Sequence, residues 1–161
     1  MFERFARNTR EAVAQAVKEA ARRGDRRVGT EHLLLGLLHD PAGPAAAVLG
    51  TDLGSARRAV DALDRAALAA IGIDTTATAA TAPSVGLGQR RQRVRPRLTA
   101  AAADALRRTL RVATARRSAR LEPEHLLVAL LECSWPDPLP RLFAQLDVDV
   151  AAARARLAGA A

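Results

Sequence analysis

Residues 29–38 read GTEHLLLGLL, and residues 122–131 read EPEHLLVALL. A chain that writes one pattern twice is built from a duplicated supersecondary unit, because each copy alone exposes an apolar face that its twin must cover. With His32 laid on His125 the offset is 93 residues. Upstream, Phe5 falls on Leu98, Val13 on Leu106, Val17 on Leu110 and Val28 on Leu121. Downstream the register slips around SWPDPLP, then recovers with Leu53 on Val150 and Val60 on Leu157.

Each copy reads as helices. Phe5, Val13, Ala16, Val17 and Ala20 share one face at helical spacing, with Arg and Glu on the other. RRGDRR interrupts this pattern, and Gly24 suits a left-handed helix end. A second helix is expected over 30–39, stopped by DPAG, and a short third over 45–49. Asp52 is the natural N-cap of a fourth, which carries Leu53, Ala56, Val60, Leu63 and Ala67 inward. The second copy repeats the order over 99–117, 123–132, 139–145 and 149–158. The expected fold is all-α: two pseudo-symmetric four-helix repeats, eight helices and no sheet. A lone unit would bury too little surface to stand by itself. The expected layout is repeat 1 over 1–71, a flexible Arg-rich linker over 72–97 and repeat 2 over 98–161.

The only aromatics are Phe2, Phe5, Trp135 and Phe143. A core of Ala and Leu favours closely packed helices. Gly36 and Ala129 hold matching places, small enough for two helices to approach closely. HLLLGLL and HLLVALL read as core rather than a membrane stripe.

The net charge of +8 raises an acidic partner or nucleic acid as a candidate. Much of that excess is local, with five arginines between Gln89 and Arg97. A solvated tether is the plain reading of that run. No aromatics interleave with those arginines, which argues against single-stranded nucleic acid. The single cysteine, Cys133, excludes an intramolecular disulfide, and no secretory signal or membrane span is evident, so the expected compartment is the cytoplasm.

The two copies also constrain each other's chemistry. Pro123 belongs at the first helical position, where a missing N–H costs nothing. Thr30 is its partner. Gly29 and Glu122 then become N-caps, Glu31 and Glu124 take the second helical position, and His32 and His125 the third. Two readings stay open for the glutamates. A carboxylate in the first turn simply complements the helix dipole. Alternatively, the carboxylate takes a guanidinium while nearby N–H groups take a phosphate, so that one site reads a cation and an anion together. His32, His39 and His125 lack the cysteine or carboxylate cluster of a zinc site, and structural roles are expected. No base stands in an evident relation to Cys133, which is expected to be a small packed residue at the last turn of its helix.

The opening MFERFARNTREAVAQAVKEAARRG with VGTEHLLLGLL, and the later LTAAAADALRRTLRVATARRSARLEPEHLLVALL, resemble the two repeats of the amino-terminal domain of ClpC-type Clp/Hsp100 unfoldases. The resemblance covers nearly the whole chain. It implies an eight-helix docking module that receives Clp substrates, adaptors or unfoldase components, including proteins marked by phosphoarginine. It places Glu31 and Glu124 opposite the guanidinium. Thr99 matches the family threonine that assists with the phosphate, and Thr30 stands beside Glu31. Ala6 replaces that threonine in the first repeat, which weakens the first site. Pro123 replaces a threonine beside Glu124. The resemblance also points to cyclic-peptide antibiotics of the cyclomarin type, with Phe2, Arg10, Val13 and Leu98 at the matching positions. Leu98, Ala103 and Arg107 depart from the family pattern there.

No GxxxxGK[ST] loop occurs, so ATP hydrolysis is not expected, and neither an enzyme activity nor a cofactor is. The long linker and diverged second repeat favour a stand-alone docking protein, a decoy or regulator. A fragment of a full unfoldase is the alternative.

Overall fold

The computed structural model describes residues 5–73 and 97–159. Most of the Arg-rich run, and Phe2, lie outside them. The first half holds α1 (Arg7–Arg23), β1 (Arg27–Val28), α2 (Thr30–Leu37), α3 (Pro44–Leu49) and α4 (Leu53–Ala70). The second holds β2 (Arg97–Leu98), α5 (Ala100–Ala115), α6 (Pro123–Leu131), α7 (Leu139–Gln145) and α8 (Val150–Gly159). Eight helices in two matching runs of four are therefore present among the described residues.

The caps explain the boundaries. Gly24 ends α1 at φ 79°, in the left-handed region a side chain would resist. Asp52 caps α4 by accepting from the Ser55 N–H at 2.9 Å, and the Thr99 hydroxyl caps α5 by accepting from the Ala102 N–H at 3.1 Å. Each histidine closes its own helix start. His32 Nδ1 accepts from the Gly29 N–H, and His125 Nδ1 from the Glu122 N–H, both at 3.0 Å. Both rings are buried, so the structural expectation for them agrees with the geometry.

Helices α2 and α6 form the centre. Leu33, Leu34 and Leu35 are fully buried, as are Leu126, Leu127 and Leu130. Gly36 makes the α1–α2 crossing possible: a Cβ there would press on the Ala12 carbonyl oxygen and lie 2.9 Å from the Ala16 nitrogen.

Several expectations need adjustment. The chain is not free of strand, because β1 and β2 pair in parallel, with Arg27 opposite Arg97 and Val28 opposite Leu98. An isolated bridge joins Phe5 to Leu121. These are equivalent events under the 93-residue offset. The Thr99 N–H donates to the Val28 carbonyl at 2.9 Å, and the Ala6 N–H to the Leu121 carbonyl at 3.0 Å. Each repeat thus lends its entry segment to the other. Arg97 and Leu98 form β2. Helix α2 stops at Leu37, short of His39. Ala67 is exposed, because the last turns of α4 run past the core. Cys133 lies just beyond α6 rather than on it.

Candidate groove at the start of the second helix

The strand exchange builds the principal groove. Its volume is about 910 Å³, and it runs between the N-terminus of α2, the side of α5 and the loop 133–138. Thr30, Glu31 and Thr99 all line it. They converge because the Thr99–Val28 hydrogen bond fixes the start of α5 three residues before Glu31.

Glu31 folds back over Gly29, its carboxylate lying where a Cβ at that position would stand. Burial pushes its pKa up, but His32 and the residue's own backbone N–H outweigh that and hold it below the usual carboxylate range. The carboxylate is therefore charged at neutral pH. His32 Nδ1 stands 3.0 Å from Glu31 Oε1 and also 3.0 Å from the Gly29 nitrogen. Nδ1 can serve only one of the two, accepting the Gly29 N–H or donating to the Glu31 carboxylate, while Nε2 faces Asp25 at 3.1 Å.

Asp137 is the second carboxylate at this end. It accepts the Thr30 hydroxyl proton, with Oδ1 at 2.9 Å and Oδ2 at 3.0 Å, and also the Leu139 N–H at 3.0 Å. It thereby ties the second repeat to the start of α2. The α5 wall has the opposite sign, presenting Arg107, Arg108 and Arg111. Arg107 pairs with Asp104 one turn back. Arg108 donates from Nη2 to Cys133 Sγ at 3.3 Å. Burial, aided by the nearby Asp137 charge, pushes the Cys133 thiol up to about 11. That suits a packed residue and not a nucleophile. Trp135, 78% exposed, stands on the rim.

The other predicted residues lie elsewhere. Glu124 is half-buried at the start of α6. By the exchanged strands, Ala6 stands to Glu124 as Thr99 stands to Glu31. The register alone paired Ala6 with Glu31; the fold pairs it with Glu124. Pro123 lines a smaller hollow of about 300 Å³ with Asn8 and Glu11 of α1. Both departures thus fall on one side, and the Glu31 side keeps its threonine. Arg10 is exposed on α1, Val13 is half-buried against the core, and Leu98 lies in β2. None of these three lines the groove. Sequence reasoning missed Asp137 and the α5 arginines. Asp137 sits where the repeats fall out of register, and that break was its only signal.

Residues 4–94 match the family described as Clp repeat (R) N-terminal domain. The chain belongs to that family. A probable ATP-dependent Clp protease ATP-binding subunit of Chlamydia pneumoniae is 42% identical over 66 residues. That match covers 39% of this chain and 8% of the relative, so the chain spans a small part of that protein's length. The N-terminal domain of the Caseinolytic protease associated chaperone ClpD from Arabidopsis thaliana has the same fold, with a TM-score of 0.70 at 24% identity. It covers 98% of this chain and 96% of its own. The Hsp104 N-terminal domain from Candida albicans aligns with a TM-score of 0.64 at 15% identity, covering 95% and 88%. The Clp repeat fold therefore extends through the second half, beyond the residues the family pattern matches.

Among the described residues, no cluster of His, Cys, Asp and Glu is placed to hold a metal ion. No described helix is long and apolar enough to cross a membrane.

Proposed function

We propose that this chain is a non-enzymatic docking module of the Clp system, receiving arginine-bearing segments of substrates or adaptors in the groove at the start of α2. The observation that carries this reading is the convergence of Thr30, Glu31 and Thr99 in one groove of a Clp repeat fold. Glu31 takes a guanidinium; the Thr99 hydroxyl, accepting from the Ala102 N–H, keeps its proton for a phosphate on it, while the Thr30 proton goes to Asp137. Phosphoarginine-marked proteins are accordingly one ligand class. Because Ala6 and Pro123 both fall on the Glu124 side, one working site per chain is expected rather than two. Arg10, Val13 and Leu98 do not line this groove, so the cyclic-peptide reading concerns a different surface.

Calorimetric titration with free phosphoarginine tests this. One equivalent should bind. Glu31→Ala should abolish the heat and Glu124→Ala should leave it. Full binding by Glu31→Ala would sink the proposal.

A further inference from the structure

The groove separates its charges along its length. At the α2 end stand the two carboxylates of Glu31 and Asp137. The backbone donors there are partly taken: the Gly29 N–H by His32 and the Glu31 N–H by its own side chain. The basic surface is instead the α5 wall, where Arg107 shares its charge with Asp104, Arg108 donates to Cys133 and Arg111 extends the positive face. Arg107 and Arg111 are exposed. At the matching places of the first repeat, α1 carries Ala14, Gln15 and Lys18. The charge-separated groove is thus a property of the second repeat's helix alone.

We propose that this groove takes an extended peptide segment with an unmodified arginine at the α2 end and an acidic side chain four or five residues away. The acidic residue takes the place of a phosphate mark. This deepens the docking reading above and rests on it. The spacing follows from the fold. Thr99 is anchored beside α2 by its 2.9 Å bond to Val28. At about 1.5 Å per residue, Arg107 lies about 12 Å and Arg111 about 18 Å along α5 from Thr99. An extended peptide covers about 3.3 Å per residue, so about four to five residues span that gap. Opposite α5, the exposed Trp135 ring offers a face to the arginine stem or to the residues between.

Trp135 is the chain's single tryptophan, so its fluorescence reports binding directly. The full chain is titrated with Arg-Ala-Ala-Ala-Ala-Glu, capped at both ends, and with its reversed sequence. Further probes carry a one-residue spacing, Ala in place of Glu, or Lys in place of Glu. One orientation of the spaced peptide should bind one-to-one, about three- to fivefold tighter than the Ala and short-spaced forms, as suits exposed ion pairs. Arg107→Glu with Arg111→Glu should move the preference to the Lys peptide. Both positions are exposed, and circular dichroism confirms that the double variant folds. Affinity indifferent to the acidic residue or to its spacing overturns the proposal, as does a double variant with unchanged preference. If phosphoarginine still binds while no spaced peptide does, the docking reading stands and this one falls. If neither ligand binds, both fall.

Discussion

Glu19 should set the acid stability of this protein. It is 2% exposed on α1, at a position the sequence assigned to a polar face. Arg57 of α4 donates to it from Nε at 3.2 Å and also from Nη2. His39 stands at 2.8 Å, and Arg22 donates at 3.1 Å. Burial pushes the carboxyl up, but these partners outweigh it and hold the pKa down to about 2, against an ordinary 4.5. A depressed carboxyl contributes stability that is fully present above the unfolded value and is lost as pH falls toward the folded one. A difference of about 2.5 units corresponds to about 3 kcal/mol near neutrality. By pH 3 about 2 kcal/mol of that is gone. Glu19→Gln keeps the volume and removes the charge. Urea unfolding followed by circular dichroism from pH 6 to pH 3 should show wild type and variant converging by that amount. Other carboxylates titrate in both chains and cancel in the difference. A stability gap that stays constant across this range would refute the assignment.

Two further outcomes are expected. Gly36→Ala should lower stability by about 1–3 kcal/mol despite the better helix propensity of alanine, because the atoms its methyl meets are α1 backbone; an unchanged urea midpoint would contradict this. Cys133, with its thiol pushed up to about 11, should resist iodoacetamide at pH 7.5 in the native state and react fully in urea, as read by intact mass; rapid native labelling would show an accessible thiolate.

Where two copies of a pattern could be compared, the sequence was informative. Pro123 at the first helical position set the register of α6, and by analogy the N-cap and first turn of α2. Glu31 and Thr30 were legible as candidates for that reason, and Thr99 through the resemblance to the Clp repeat family. Their meeting in one groove was not. Two-residue strands leave no alternation to read, so the exchange of entry segments, with the Ala6 N–H on the Leu121 carbonyl, had no trace. Asp137 sits in a segment without a counterpart. Of the α5 arginines, Arg107 and Arg111 are exposed and Arg108 is half-buried, and helical spacing alone does not tell them apart. Glu19 was misplaced because helical periodicity describes one neighbour at a time, whereas α1 is covered on its polar side by Arg57 and His39.

The exchanged entry segments also alter how damage is inherited. In an ordinary tandem duplication each copy may decay while the other is preserved. Here a change written in the first copy at position 6 would be felt at the second copy's helix start, because the Ala6 N–H bonds to Leu121. The threonine kept in the second copy serves the first. The two halves behave like interlocking genes rather than spare parts: selection on one groove acts on residues drawn from both, and neither half could be handed on alone with a complete groove.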